Sequence, residues 1–457
     1  MTRTKEYQLS QKRAIVTGWG RTQPVAADLF EIPETEGWQE TIFDGQSSVI
    51  ARGLGRSYGD AAQVGGGRIA ILPNTINASQ ISQTTTLEVG AGTSIESILS
   101  RYVTTGLFIP VTPGTRYVTV GGAFAADIHG KNHHIDGSFA NHVESFDLVT
   151  PTKTLKVTKE GNPEIFWATA GGMGLTGIIT NVKLKMIKVE SAYMSVETRR
   201  ISDLDELMAT MAGSDSDFKY SVAWIDCLAK GASMGRGVLS RAQHATTDQL
   251  DRRKAEDPLH YNSKVVLGAP RWIPSRALNF ASVSAFNELW YRKAPRLREN
   301  ELIGLSTFFH PLDGVRSWNR IYGKAGFLQY QFVVPDGKAE SLRKILERIS
   351  AAKVASFLAV LKRFGPSNEG ILSFPSPGWT LALDIPVGSG HLSALLDELD
   401  EEVLAASGRI YLAKDSRTHP ETIARMYPRL GELKAIKERL DPKGILKSDL
   451  SRRLQIP

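Results

Sequence analysis

Cysteine is the scarcest residue in the chain: Cys227 stands alone among 457 residues. That excludes an internal disulfide, a CxxC redox pair and a cysteine-based zinc cluster. Long apolar runs are missing too. No stretch approaches the ~18 consecutive apolar residues that a spanning helix needs. The start, MTRTKEYQLSQKRAIVTGWG, is basic but has no apolar segment of signal-peptide type. Neither a membrane span nor a secretory leader is therefore expected. No block of Lys and Arg appears, which argues against nucleic-acid binding.

What is present is an ordinary globular balance, with 42% hydrophobic and 23% charged residues. The length suits about two or three domains. A net charge of +7 suits an anionic partner, such as a phosphate-bearing ligand or an acidic membrane surface, and equally a surface that only favours solubility.

The texture divides the chain. Up to about residue 192, short β-type runs alternate with glycine turns. TLEVGAG reads as a strand, and Thr93 with Glu96 reads as a capping box for the helix after it. Beyond residue 193, YMSVETRRI and KYSVAWIDCLA read as strands. Between them a helix is expected, with a capping box at Ser202 and Asp205 and an apolar face of Leu204, Leu207, Met208 and Met211. FLQYQFVVP precedes a helix with Leu342, Ile345, Leu346 and Ile349 on one face. WTLALDIPV precedes another, which is expected to stop at Gly408. The pattern predicts an α+β protein whose later part is an antiparallel sheet covered on one side by helices. Residues 262–297 are apolar and basic without clean periodicity; they read as a mobile lid or interaction surface, or as an irregular buried segment.

GGMGLTG contains G-x-G-x-x-G at Gly172, Gly174 and Gly177. A Rossmann fingerprint follows a strand and opens a helix. Here a helix-like PEIFWATA precedes and a strand-like IITNVKLKMI follows, so that reading is rejected. RGLGRSYGD, TPGT and TVGGAFAADIHG are three further glycine loops suited to close backbone approach by an anion. Together they suggest one large phosphate-bearing ligand. The blocks R-G-x-G-x-S at 52–57, P-G-T at 113–115, V-G-G at 120–122 and G-G-x-G-x-x-G-I-I-T at 171–180 resemble, in order and spacing, the FAD-binding domain of the vanillyl-alcohol oxidase (PCMH-type) superfamily. The stretches GRSYGDAA, ADIHGKNHH, FHPLDGVRSWNRIYG, GFLQYQFVVP, LKRFG, RIYLAKDSR and DPKGILKSDLSRRL narrow it. Over almost the whole chain they are similar to the decaprenylphosphoryl-β-D-ribose 2-oxidase family of mycobacteria and corynebacteria.

The resemblance implies an FAD-binding domain over residues 5–192 and 409–457, with a substrate-binding domain over 193–408. It implies that FAD lies on Arg52, Gly53, Leu54, Gly55, Arg56, Ser57, Tyr58, Gly59, Asp60 and Ala61. Gly114, Thr119, Val120, Gly121 and Gly122 continue the cradle, followed by Ala126, Asp127, Ile128 and His129. Ile179 would meet the adenine and Tyr411 would close over the flavin. Many superfamily members bond FAD through a histidine in the first loop. The matching residue here is Arg56, so non-covalent FAD is expected.

The implied reaction removes hydride from ribose C2 of a polyprenyl-phosphate sugar. It calls for a route for the hydroxyl proton and for stabilisation of developing negative charge. Lys414 matches the family's essential lysine, and His129 is the candidate proton relay or substrate contact. Tyr58, Lys131, Gln329, Gln331, Lys362 and Ala382 are implied substrate contacts, Ala382 standing where many relatives have cysteine. His133 and His134 read as structural, and with no acidic or cysteine complement in pattern no metal site is expected. The implied partners are an NADH- or NADPH-dependent short-chain reductase that completes the epimerisation to arabinose, and a membrane surface touched peripherally. The family admits the cell-envelope side; the missing leader favours the cytoplasmic side. The alternatives are an alditol- or aldonolactone-type oxidase acting on a soluble sugar, and a basic non-enzymatic binding module.

Overall fold

The computed structural model describes residues 9–34, 37–76, 85–270, 272–275, 277–388 and 390–456. Residues 5–8 of the expected first domain, and Arg271 and Arg276 of the 262–297 segment, lie outside the described residues.

Three larger sheets carry the fold. Gln11–Val16, Val25–Glu31, Arg68–Ile71 and Val49–Ala51 form a mixed four-stranded sheet. Thr86–Gly90, Ile178–Lys185, Val143–Val149 and Thr154–Thr158 form an antiparallel one. The third is an eight-stranded antiparallel sheet in the order Leu297–Gly304, Tyr193–Ile201, Gly237–His244, Tyr220–Ile225, Ala359–Phe364, Gly378–Pro386, Phe327–Val334, Arg409–Ile410. The protein is thus α+β. Among the described residues no helix is long and apolar enough to cross a membrane.

The large sheet shows why the β-period matters. Along Phe327–Val334, Tyr330, Phe332 and Val334 turn to the side covered by the helices Ala339–Ala351 and Leu392–Ala405, whose Leu342, Ile345, Leu346, Ile349, Leu396 and Leu399 are buried. Gln329 and Gln331 therefore share the opposite face, which lines a cavity.

Several local expectations shift. The N-cap of Ile95–Tyr102 is Ser94, whose Oγ accepts from Ser97 N–H at 3.0 Å. Thr93 instead donates inward to the Thr75 carbonyl, and Glu96 pairs with the buried Arg116. The N-cap of Leu204–Ser214 is Asp203, not Ser202, and Glu206 accepts back from Ser202 N–H at 2.9 Å. In both cases the cap lies where the backbone enters the helix, one residue from the sequence expectation. The helix Leu392–Ala405 ends before Gly408; Ser407 takes the left-handed conformation (φ 59°). Gly408 is required for another reason: a Cβ there would come within 2.3 Å of the Val333 carbonyl oxygen.

The 262–297 segment is not wholly irregular. It contains the helix Phe280–Lys293, capped by the Asn279 side chain on the N–H groups of Ala281 and Ser282. Its periodicity is obscured because apolar residues occupy more than one face. Val283 is buried, Phe286 and Trp290 line the cavity, and Leu289 is 68% exposed. Val266, Leu267 and Trp272 nearby are exposed as well.

Candidate functional site

The glycine loops meet around one cavity of about 690 Å³, within the size range of cofactor and ligand sites. Tight packing forces glycine at its floor. A Cβ on Gly53 would come 2.3 Å from Thr119 Oγ1, and one on Gly121 would come 2.8 Å from Ala91 Cβ. Gly114 faces open space on the cavity wall. Thr119 caps the helix Val120–Ala125 by accepting from Gly122 N–H, so the start of this short helix faces the cavity.

Of the cradle residues inferred from sequence, Arg52 to Tyr58, Ala61, Gly114, Thr119, Gly121, Gly122, Ala126, Ile128, His129, Ile179 and Tyr411 line this cavity. Gly59, Asp60, Val120 and Asp127 do not. Gly59 packs against the Asp415 carbonyl, Val120 lies in the core, and Asp60 accepts from Arg453. Asp127 has a positive φ of 37°, and its carboxylate accepts from Ala140 N–H, Ser138 Oγ, Asn368 Nδ2 and Ser373 Oγ. That network pins an uncommon backbone turn two residues before His129.

The opposite wall is the free face of the large sheet. Gln331 pairs with Ala382 in register, and Ala382 with Val360, so this face sets Gln331, Ala382 and Val360 side by side, with Lys362 two residues along its strand. All line the cavity. Lys414 follows the edge strand Arg409–Ile410 in a turn closed by its N–H donating to the Tyr411 carbonyl. Its Nζ stands 4.0 Å from the centroid of the Tyr58 ring, a cation–π geometry.

His129 sits between the two walls. Its Nε2 is 3.0 Å from Gln331 Nε2 and its Nδ1 is 3.1 Å from Lys362 Nζ. Phe364, Phe374 and Tyr411 surround the ring. Burial first, then the nearby Lys362, His133 and Lys414, hold the imidazole well below its usual range and so neutral. Burial pushes Lys362 and Lys131 down to about 7. It pushes Lys414 to about 8 against the opposing pull of Asp384. Lys131 donates to the Phe308 carbonyl and lies over the Phe308 ring. His133 accepts from Gly365 N–H, and His134 hydrogen-bonds the Phe218 carbonyl; both rings tie loops together.

Two neighbours escaped the sequence reading. Trp19 stacks on Arg56, its ring centroid 3.8 Å from the guanidinium carbon, and no sequence pattern marks it. Asp384 is fully buried, accepts from Gln329 and is raised to about 7 by burial. A signal for it existed: it is a lone carboxylate in an apolar strand, two residues from Ala382 and so on the same face.

Comparisons with known proteins agree with this layout. Residues 44–159 match the family model described as FAD binding domain. A decaprenylphosphoryl-β-D-ribose oxidase of Mycolicibacterium smegmatis is 43% identical over 99% of both chains. An uncharacterised Streptomyces coelicolor protein is 40% identical over 76% of this chain and 96% of its own. Cytokinin dehydrogenase 2 of Arabidopsis thaliana is 28% identical over 30% of this chain and 27% of its own. With 43% identity from end to end, and with a glycine cradle facing a lysine- and histidine-bearing sheet, this chain belongs to the decaprenylphosphoryl-β-D-ribose oxidase family.

Proposed function

We propose that this protein oxidises the ribose C2 hydroxyl of decaprenylphosphoryl-β-D-ribose to the 2-keto sugar with non-covalently held FAD. This is the first half of epimerisation to the arabinose form used in cell-wall arabinan. The observation that carries the reading is the joining, in one cavity, of a glycine-lined cradle with Lys414, His129, Gln331 and Lys362.

The residues present fit the cofactor. Gly114 leaves room at the wall, Gly53 and Gly121 admit close backbone packing, and Arg56 keeps a buried Nε with no hydrogen-bond partner. Arg52 to Tyr58, Ala61, Gly114, Thr119, Gly121, Gly122, Ala126, Ile128 and His129 would hold it, with Ile179 towards the adenine and Tyr411 towards the ring. When bound, FAD supplies the acceptor for the hydride leaving C2. Gln329, Gln331, Lys362 and Lys131 orient the sugar and its phosphate by hydrogen bonds. His129, neutral and water-shielded, takes the hydroxyl proton, and the positive charge of Lys414 offsets developing negative charge. Arg56 stands where many members of the superfamily carry the histidine that bonds FAD, and a guanidinium does not form that bond.

In this reading residues 5–192 and 409–457 form the FAD-binding domain and 193–408 the substrate domain. A polyprenyl tail requires a membrane. The exposed Leu267, Trp272 and Leu289, the last on the helix that carries the cavity-lining Phe286 and Trp290, support peripheral docking there. A separate NAD(P)H-dependent short-chain reductase then completes the epimerisation. The test is bleaching of the bound flavin's visible absorption under anaerobic conditions. Decaprenylphosphoryl ribose is expected to bleach it rapidly and soluble sugars or aldonolactones not at all. The reverse preference would overturn the substrate assignment.

A further inference from the structure

The carboxylate of Asp384 is the one group at this site that the chemistry above leaves unused. It is fully enclosed, on Gly378–Pro386, directly opposite Gln329 in the register. Oδ1 accepts from Gln329 Nε2, while Oδ2 has no hydrogen-bond partner. The Tyr322 hydroxyl lies beside it, also without hydrogen-bond geometry to any partner. A carboxylate so enclosed persists only where a cation balances it or a proton neutralises it. Lys414, whose Nζ stands over the Tyr58 ring, brings the positive charge that favours its ionised form, across more than contact distance.

We infer that Asp384 is the counter-ion of Lys414, a positioning residue that keeps the Lys414 side chain an ammonium directed onto the Tyr58 ring. The proton assignment drawn from this rests on the proposed reaction; the charge pairing, which acts through space, does not. An ammonium has no lone pair, so Lys414 cannot take the C2 hydroxyl proton. In the proposed reaction His129 would take that proton, on the ring nitrogen that Gln331 or Lys362 yields to the sugar, and FAD would supply the hydride acceptor.

The titratable and charged groups around the pair come from four other elements: Tyr58 and Arg56 from the first loop, His129, Lys362 and Tyr322. Lys414 pushes both Lys362 and His129 down. Only Asp384 pulls Lys414 back up against burial. With Asp384 neutralised, the Lys414 pKa falls below its value of about 8. A rate that needs the ammonium, lost as pH rises through that pKa, then declines at lower pH.

The first measurement is a double-mutant cycle on purified protein, using Asp384→Asn, Lys414→Met and the pair, read by urea unfolding. Each single change strands a charge or its partner, so the double variant is expected to be less destabilised than the sum of the singles. Additive losses overturn the charge pairing. The second is the pH profile of flavin bleaching by the lipid sugar, with FAD content measured alongside. Asp384→Asn is expected to move the alkaline limb to lower pH by about one unit, about a fivefold loss at the midpoint of the wild-type limb. An unmoved limb overturns the inference. If Asp384→Asn does not fold, Gln329→Leu strips Oδ1 of its donor and is read for the same shift. Coupling in the unfolding cycle with no bleaching by the lipid sugar would sink the substrate reading and leave the charge pairing standing.

Discussion

Lys414 and Ala382 carry the sharpest residue-scale predictions. Removing one preorganised charge from a site of this kind costs roughly 10²–10³ in rate. Lys414→Ala is therefore expected to retain FAD and to slow flavin bleaching by about two orders of magnitude. A normal rate in FAD-loaded variant would remove Lys414 from the chemistry. Ala382 lies on the cavity wall opposite Gln331 without a thiol, and the only cysteine, Cys227, is buried elsewhere with its thiol pushed up to about 12 by burial. Inhibitors that trap a thiol at this strand are expected to leave the mass of the native protein unchanged. Ala382→Cys should gain the adduct mass, and an adduct on the native chain would mean that the strand is misaligned with its relatives. Glycine identities and the arginine in place of a loop histidine were legible at this scale because local motifs encode them, and Lys414 through the family resemblance. The enclosed carboxylate of Asp384 was not, since it meets Gln329, 55 residues earlier, only through sheet register.

At the scale of elements, the last helix reaches back to the first loop. Arg453, on Asp449–Arg453, donates from Nε to Asp60 Oδ2 at 2.8 Å and from Nη1 to the Thr418 carbonyl at 2.8 Å, and its Nη2 pairs with Asp415 Oδ2 at 2.9 Å. It ties the turn after Tyr58 to the turn after Lys414. A planar fork makes these contacts together and lysine does not. Arg453→Gln is expected to lower FAD retention on gel filtration and raise the KM for the lipid sugar, with Arg453→Lys recovering only part. Wild-type retention in Arg453→Gln would show that the clamp does not hold the cradle. The amphipathic helices Ala339–Ala351 and Leu392–Ala405 were readable from apolar spacing alone, because a single face meets the sheet. The helix Phe280–Lys293 was not, because its apolar residues serve the core, the cavity and the exposed surface at once.

Across the whole molecule, a net charge of +7 combines with exposed apolar side chains within residues 262–297, among them Leu267, Trp272 and Leu289, and the helix of Leu289 also carries the cavity-lining Phe286 and Trp290. Binding to vesicles of anionic phospholipid is expected, weakening with salt as the charge contribution is screened. The paired change Trp272→Glu with Leu289→Glu should reduce co-sedimentation several-fold while leaving flavin bleaching by a short-chain, detergent-solubilised substrate intact. Unchanged co-sedimentation would place the contact elsewhere. The glycine cradle and the α+β character could be read from the sequence, because close backbone approach demands glycine wherever the chain folds and β and α periods survive in any context, while Lys414 and His129 were marked only by the family resemblance. The pairing of Gln331 and Lys362 around His129, of Gln329 with Asp384, and of Arg453 with both loops was settled only by the fold. Those meetings depend on strand order and register between segments up to 393 residues apart, and no local pattern encodes them.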